Sequence, residues 1–322
     1  HDKGKTNFHF EVAADLLNDE ELNLISTMRP GLIQLEIGVQ STNEQTIKEI
    51  HRTMKFSQVT EVVNRVHAAK NIHQHLDLIA GLPFEDYNSF HKSFCDVYAL
   101  RPEQLQLGFL KVLKGSYMEE KTKDYELLYQ NRPPYEVLST KWLPYSDVIR
   151  LKGLEEMVEV YYNSRQFEHT MELLEQVFGD SFVMFEEMSN YYEEHGYYGV
   201  NHNRVARYEI LYAFIKEVAL VQYETLLTEE QFRQTLVMDL YLRENMKNRP
   251  AFAGDSLVSK VVERTFYDTE AEEHQYLKGY EKYDKRQLRK MTHLENIDGH
   301  LILFDYQNRN PLTNQATTYK VV

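Results

Sequence analysis

Asp77 places a carboxylate in an otherwise apolar strand, which makes it the first candidate for chemistry in this sequence. The stretch Leu76–Ala80 predicts a strand that ends at a Gly-Leu-Pro exit, residues 81–83. Because side chains along a strand alternate between its two faces, Asp77 shares a face with Ile79 and Gly81. A single aspartate of this kind is most often a capped or salt-bridged residue near a strand end. The neighbouring strands therefore decide whether Asp77 belongs to a site.

Polar side chains recur at every second position in three further predicted strands. These strands are Asn7–Val12, Ile33–Val39 and Gln104–Leu110. The polar residues of all four strands are His9, Glu11, Gln34, Glu36, Gln40, His75, Asp77, Gln104 and Gln106. A parallel sheet that is covered on both faces is apolar on both, so this alternation predicts one face that holds a polar site. Four strands that share one polar face indicate a curved sheet whose concave side holds the site. This arrangement is typical of a barrel, where chemistry takes place at the carboxyl ends of the strands.

The segments between these strands predict the helices that position them. Asn18 and Glu21 have the spacing of a capping box and predict the start of a helix. Residues 44–50 predict a second helical segment, and valines at helical spacing after Ser57 predict a third helix. Strand–helix units in this order predict a parallel sheet with right-handed crossovers. We therefore predict the α/β class, with residues 1–118 forming the C-terminal four strand–helix units of a partial (β/α) TIM-like barrel.

The residues beyond 118 differ in composition from the predicted barrel. Prolines mark a predicted linker over residues 119–147. The helical spacing of apolar residues then predicts a mainly α-helical domain over residues 148–296. Two strand-like runs, Leu301–Tyr306 and Thr317–Val322, flank an Asn/Pro-rich turn and predict a short terminal β-hairpin within residues 297–322.

Composition excludes several classes of protein. The 322 residues carry a formal net charge of −14, so no basic footprint for nucleic acid is visible. Every apolar run is shorter than the about 20 residues of a membrane span. Cys95 is the only cysteine in the sequence. A single cysteine excludes a disulfide framework and fits a reducing cytoplasm. It also leaves the chain without enough cysteines to hold an iron–sulfur cluster. The chain begins at His1 without a Met, so we expect a piece of a longer cytoplasmic protein.

Three motifs, taken in order, resemble a known family. Gly-Val-Gln-Ser (38–41) closes one predicted strand, Arg52 follows about a dozen residues later, and Asp-Leu-Ile-Ala-Gly-Leu-Pro (77–83) forms the next strand and its exit. This order and spacing resemble the radical S-adenosylmethionine enzymes. The branch most similar contains the oxygen-independent coproporphyrinogen oxidases, the methylthiotransferases and the cobalamin-binding radical enzymes. The resemblance covers roughly residues 7–116, and the helical region after it is most like that of the cobalamin-binding group.

The resemblance implies a set of contacts to S-adenosylmethionine. Gln40 and Asp77 would hydrogen-bond the ribose hydroxyls, and Ile79 would support the adenine. Arg52 would pair with the methionine carboxylate in a charge-assisted contact. Glu11 would help to hold the polar end of the ligand. The implied reaction is reductive cleavage of S-adenosylmethionine to a 5′-deoxyadenosyl radical, which abstracts hydrogen from a substrate that the sequence does not identify.

The sequence departs from the family pattern in several places. His51 precedes Arg52 where relatives often have Gly, and Phe84 follows Pro83 where Gly is common. The cluster motif CxxxCxxC and the Gly-Gly-Glu motif are not in this chain, so we expect both upstream of His1. The implied cofactors are then S-adenosylmethionine and a 4Fe–4S cluster that is held by upstream cysteines. An electron donor is the implied partner. Cobalamin is a further implied cofactor if a cobalamin-binding domain precedes this chain. The chain by itself is expected to be inactive and to bind no metal.

Two other readings of the sequence stay open. His73, His75 and Asp77 occupy every second position and therefore share one face of the strand. Metal-dependent hydrolases built on barrels use ligands with such spacing. Against this, no partner histidine is evident on the later strands, and surface histidines show the same spacing. The third reading is a non-enzymatic α/β module whose acidic, Tyr-rich helices bind a protein partner.

Overall fold

The computed structural model describes residues 3–321 as helices, strands and their connections. The α-helices are α1 (Asp19–Ser26), α2 (Glu44–Glu49), α3 (Phe56–Ala68), α4 (Tyr87–Tyr98), α5 (Tyr117–Glu120), α6 (Tyr145–Met157), α7 (Glu168–Phe178), α8 (Ser181–Glu194), α9 (Arg204–Phe214), α10 (Leu220–Gln222), α11 (Glu229–Arg243), α12 (Lys260–Glu273) and α13 (Lys285–Met291). The strands are β1 (Phe8–Val12), β2 (Ile33–Gln40), β3 (His73–Ala80), β4 (Gln104–Phe109), β5 (Leu128–Tyr129), β6 (Val137–Ser139), β7 (Thr292–Ile297), β8 (His300–Arg309) and β9 (Ala316–Val321). The π-helical segments Val158–Asn163 and Ile215–Ala219 continue α6 and α9.

The chain divides into two compact units. The first unit contains the residues up to Asn163 together with Asp180–Gly196, and the second contains Ser164–Gly179 and the residues from Tyr197 onward. The predicted mixed α/β class is confirmed, with a parallel sheet, a helical part and antiparallel strands near the C-terminus. The described parallel sheet has four strands, so closure into a TIM-like barrel and the four-part domain division stay predictions.

The first unit is built on a parallel sheet with the strand order β1-β2-β3-β4. Apart from Ile79, the apolar side chains of β2 to β4 point to one face, where they are buried. They are Ile33, Leu35, Ile37, Val39, Leu76, Leu78, Ala80, Leu105, Leu107 and Phe109. The valine stripe of α3 and the aromatic stripe of α4 are buried as well. Apolar burial on one face therefore leaves the opposite face of the sheet to the polar side chains.

The predicted helix start at Asn18 is confirmed in detail. The Asn18 side chain accepts a hydrogen bond from the Glu21 backbone, and the Glu21 side chain accepts one from the Asn18 backbone N–H. By contrast, β3 begins at His73 rather than at the predicted Leu76. Its first three residues pair with β2, with Gln34 opposite His73. Their polar composition hides this extension, because it is their sheet neighbours that make these residues a strand.

The segment predicted as a linker contributes folded structure to the first unit. It contains the antiparallel pair β5–β6 and contributes three of the six side chains of a buried apolar cluster. That cluster is Leu82, Leu110, Val112, Tyr125, Leu127 and Val137. Gly81 lies against it in a left-handed conformation (φ 88°), and a Cβ there would come within 2.8 Å of Val137. The Gly-Leu-Pro exit of β3 is therefore packed closely against this segment.

The second unit combines helices with a three-stranded antiparallel sheet in the order β7-β8-β9. The two predicted terminal strands are present as β8 and β9, and Val322, at the end of the second prediction, lies outside the described residues. Strand β7 adds a third strand on the other side of β8. Strand β7 follows α13 directly, and its mixed sequence Thr-His-Leu-Glu-Asn-Ile has little strand character by itself. Within residues 3–321, none of the helices is both long enough and apolar enough to span a lipid bilayer.

Asp239 of α11 generates a stability prediction for the second unit. Its carboxylate is buried and accepts hydrogen bonds from the backbone N–H groups of His169 and Thr170, at 3.1 and 3.0 Å, and from both of their side chains. Asp239→Ala leaves these donors without their acceptor, so we expect the free energy of unfolding to fall by about 3 kcal/mol. Urea denaturation followed by circular dichroism measures this loss.

The matched control lies on the same helix. Glu230 is half exposed and pairs with Arg233 at the surface, so Glu230→Gln should change the free energy of unfolding by less than about 0.5 kcal/mol. Equal losses in the two variants would show that Asp239 has no special part in holding α7 to α11.

Candidate functional site

The parallel strands bring carboxylates from three strands together on the polar face of the sheet. Glu11 lies opposite Glu36, Glu36 lies opposite His75, and Gly38 lies opposite Asp77. Residues that face each other on neighbouring strands point their side chains to the same side. The alternation in the sequence therefore predicts this face correctly, and the register places its acidic groups side by side.

Strand β2 ends in a β-bulge that re-aims Gln40. The register shifts between Gly38, which lies opposite Asp77, and Gln40, which lies opposite Leu78. Gln40 has a left-handed backbone (φ 71°), a conformation that costs a residue other than glycine about 1 kcal/mol or more. Bulges and strained backbones of this kind concentrate at binding sites, where they direct a side chain. Here the bulge lets Gln40 line the cavities on the polar face.

Gly38 leaves room for two of the predicted ligand-binding side chains. A Cβ at this position would lie 2.4 Å from Nε2 of Gln40 and 3.5 Å from Nη1 of Arg52. Any side chain at position 38 would therefore push Gln40 away. The absence of a Cβ at position 38 therefore lets the Gln40 amide approach the strand this closely.

Four of the sequence-predicted site residues line a single cavity of about 300 Å³. They are Glu11, Gln40, Arg52 and Asp77. Arg52 lies after α2, and its guanidinium forms no salt bridge within residues 3–321. A cation without a protein partner in an otherwise acidic cavity is a suitable partner for the carboxylate of a ligand.

The two departures from the family pattern both lie where glycine would be favoured. His51 has φ 59° and Phe84 has φ 61°, so each is in the left-handed region that glycine adopts without strain. His51 packs against Tyr117, with ring centroids 4.6 Å apart, and Phe84 packs against Trp142 at 4.7 Å. The loops thus keep a glycine-like backbone, and aromatic contacts hold the larger side chains in place.

A larger cavity of about 600 Å³ adjoins the first and shares Gln40 and Asp77 with it. Ile79, the fifth predicted site residue, lines this cavity. Its other walls come from β4 and from α6 with its π-helical continuation, including Glu155 and Glu159. The five predicted residues are therefore brought to one continuous polar face, where Gln40 and Asp77 occupy the centre.

Burial and neighbouring carboxylates raise the pKa of Asp77 to about 7. Burial is the largest cause, followed by the negative charge of Glu36, a hydrogen bond with Glu36 and the charge of Glu11. Burial also lowers the pKa of His75. Its Nε2 lies 3.0 Å from Oδ1 of Asp77, but without the alignment of a hydrogen bond. At neutral pH, Asp77 therefore exchanges readily between a proton donor and a proton acceptor.

Two acidic residues escaped the sequence-based choice of site residues. Glu36 belongs to the polar face, and its carboxylate comes within 4.8 Å of the ligand-type atoms of His75 and Asp77. Glu85 is buried beneath the loops at the strand ends, where the hydroxyls of Ser41 and Ser93 donate to it at 2.6 and 2.8 Å. Burial raises the pKa of Glu85 to about 7. The alternation of polar and apolar residues along β2 indicates that Glu36 lies on the polar face. Nothing in the local sequence indicates that Glu85 is buried.

Comparison with known proteins gives one family match. Residues 123–319, more than half of the chain, match the family described as "Protein of unknown function (DUF4080)". A search of curated proteins returned no match for this sequence.

Several solved structures are similar to parts of the chain. Coproporphyrinogen III oxidase (HemN) from Escherichia coli, described as a radical SAM enzyme, is 16% identical with a TM-score of 0.34, over 45% of this chain and 31% of that one. Elp3 from Methanocaldococcus infernus is 18% identical with a TM-score of 0.33, over 37% and 28%. The radical S-adenosylmethionine methyltransferase TsrM from Kitasatospora setae, with cobalamin and a 4Fe–4S cluster bound, is 10% identical with a TM-score of 0.33, over 42% and 27%. The chain spans less than a third of each of these structures, and TM-scores this low do not establish a shared fold.

The raised pKa of Asp77 generates a prediction about stability and pH. The unfolded chain releases this proton near the ordinary value of 3.8, whereas the folded protein keeps it up to about pH 7. The contribution of Asp77 to stability is therefore fully present below about pH 4 and is lost as the pH rises to about 7. Asp77→Asn cannot ionise, so its free energy of unfolding relative to the unmutated protein should increase by about 2 kcal/mol between about pH 4 and pH 8, after allowance for solvent screening.

Chemical denaturation at a series of pH values measures this difference. Asp19→Asn is the control, because the Asp19 carboxylate is almost fully exposed beside Arg65. A parallel pH dependence in the Asp77→Asn and unmutated proteins would show that the crowded face leaves the pKa of Asp77 unchanged.

Proposed function

This chain belongs to the family described as "Protein of unknown function (DUF4080)", and we propose that the polar face of its parallel sheet binds S-adenosylmethionine. The observation that carries the proposal is the single cavity lined by Glu11, Gln40, Arg52 and Asp77. These residues come from β1, the end of β2, the segment after α2 and the middle of β3. Their convergence matches the contacts that the motif resemblance implies.

The ribose and adenine half of the ligand fits the centre of this face. A ribose diol offers two hydroxyls that both donate and accept hydrogen bonds. Asp77 lines both cavities of the polar face and is buried enough to form strong hydrogen bonds. Gln40 is directed to the same cavity by the bulge. Ile79 supplies an apolar surface in the adjoining cavity, on which the adenine ring can lie.

The amino-acid half of the ligand fits the charged end of the smaller cavity. Arg52 would bind the ligand carboxylate through two parallel N–H donors, the geometry that guanidinium groups favour. Glu11 lies opposite Glu36 at the edge strand and supplies negative charge near the ligand amine. The smaller cavity thus separates a cation for the carboxylate from an anion for the ammonium group.

We extend the proposal to the whole protein as a radical S-adenosylmethionine enzyme whose cluster ligands lie outside this chain. When bound, a 4Fe–4S cluster supplies the electron that cleaves the sulfonium of S-adenosylmethionine. Cys95, the only cysteine, lies on α4 and lines neither cavity of the polar face. This chain therefore contributes the binding and orientation of the nucleoside, and cobalamin is implied by the motif resemblance alone.

The first test is binding of 5′-deoxyadenosine, which carries the ribose and adenine without the methionine. The contacts proposed for it come from Gln40, Asp77 and Ile79 of this chain, so we expect saturable binding by calorimetry or ligand-observed NMR. Asp77→Ala should weaken the binding of both 5′-deoxyadenosine and S-adenosylmethionine by about tenfold, the effect of one or two lost hydrogen bonds. Arg52→Gln should weaken only S-adenosylmethionine, because 5′-deoxyadenosine has no carboxylate.

Arg65→Gln is the matched control. Arg65 lies on α3 and pairs with the exposed Asp19, so its loss should leave both affinities unchanged. The proposal fails if 5′-deoxyadenosine does not bind, or if Arg65→Gln weakens binding as much as Arg52→Gln does.

A second candidate is a metal-dependent hydrolase, favoured by one observation. Donor atoms of Glu36, His75 and Asp77 all lie within 4.8 Å of one another, close enough to hold a divalent cation. This group contains two of the three ligands predicted from the sequence and replaces His73 with Glu36. Stoichiometric manganese or zinc that is lost in Glu36→Gln, together with no affinity for 5′-deoxyadenosine, would favour the hydrolase.

A further inference from the structure

A second group of metal-ligand side chains lies on α4 and at the start of α8, both in the first unit. His91 and Cys95 are four residues apart on α4 and therefore share one face of the helix. Asp180 is the N-cap of α8 and closes the group from the other side. A ligand atom from each of these residues lies within 4.8 Å of both others. None of the three lines the cavities of the polar face.

Two pairs within this group are in direct contact. Nε2 of His91 lies 2.8 Å from Oδ2 of Asp180, and Sγ of Cys95 lies 3.6 Å from Oδ1 of the same carboxylate. A tetrahedral zinc ion with ordinary bond lengths separates a nitrogen ligand from an oxygen ligand by about 3.3 Å. An ion between His91 and Asp180 would therefore replace their hydrogen bond and move Nε2 and Oδ2 apart by about 0.5 Å.

Packing holds the two helices in the orientation that such a site requires. The His91 ring stacks on Phe182, with centroids 4.3 Å apart and planes 15° apart. Phe94 contacts both Phe182 and Phe185 edge to face, at 5.6 and 5.9 Å. The ligand side chains therefore project from a rigid apolar contact between α4 and α8, and a metal would not have to organise the backbone first.

We propose that His91, Cys95 and Asp180 bind a divalent cation of the zinc class, with a water molecule as the fourth ligand. One thiolate, one imidazole and one carboxylate form a donor set that suits zinc and is too soft for magnesium or calcium. The side chains of His91 and Asp180 are 29% and 37% exposed, so water can reach the fourth position. Asp180 can ligate through Oδ2 while Oδ1 keeps its cap to the Val183 N–H.

Cobalt substitution tests this site directly. Because Cys95 is the only cysteine, a near-ultraviolet charge-transfer band between thiolate and Co²⁺ can arise from that residue alone. We expect the chelator-treated protein, kept reduced with a phosphine, to develop this band with one equivalent of Co²⁺ and to lose it when Zn²⁺ is added. Cys95→Ser should abolish the band, and His91→Gln and Asp180→Asn should each weaken Co²⁺ binding by about tenfold or more.

Asp86→Asn is the matched control, because Asp86 caps α4 as Asp180 caps α8 but has no part in the group. It should leave the Co²⁺ titration unchanged, and circular dichroism should show that each variant is folded. Absence of the band would overturn the proposal. So would a band that saturates at half an equivalent, or one whose affinity is unchanged in both His91→Gln and Asp180→Asn, since each indicates adventitious binding to a thiol. Binding of 5′-deoxyadenosine is measured separately, so this result is independent of the proposed function of the polar face.

Discussion

The register of the parallel strands is the constraint on which the first unit depends. It sets Glu11 beside Glu36 and Asp77 one strand further on, so three carboxylates share one partly dehydrated face. Burial, followed by the repulsion among these carboxylates, raises the pKa of Asp77 to about 7, so the folded protein keeps this proton to a higher pH than the unfolded chain does. Apolar residues at these positions would give a more stable sheet. A face that keeps acidic groups at such a cost is better explained by a ligand than by folding.

The sequence predicts this face well because strand alternation is a local property. Within each strand, a period of two places Glu11, Glu36 or Asp77 on the face opposite the alternating apolar side chains, whatever the rest of the chain does. The capping box at Asn18 is equally local, since it depends on residues three positions apart. Fold class follows from the order of such local elements, and the α/β prediction is therefore confirmed. Closure of a barrel is a long-range property, and four strands do not test it.

Features that depend on distant partners could not be predicted from the sequence. Strand β3 starts at His73 because β2 pairs with it, and β7 is a strand because β8 lies beside it. The bulge at Gln40 changes the register without any glycine or proline at the bulged residue. Glu85 has an ordinary loop sequence, yet it is buried against Ser41 and Ser93 from two other segments. For β3, Gln40 and Glu85 the deciding partner lies in a distant segment of the chain, whereas β7 depends on β8, the strand that follows it directly.

Helix α4 connects the two candidate sites of the first unit. One side of it holds the loops at the strand ends, because Ser89 accepts a hydrogen bond from Asn43 after β2 and Ser93 donates to the buried Glu85. The other side carries His91 and Cys95 against α8. Apolar packing already holds α4 to α8, and none of the three metal-ligand side chains lines either cavity of the polar face. The two candidate sites therefore share the helix α4 but no side chain, and a ligand can occupy either site without contacting the residues of the other.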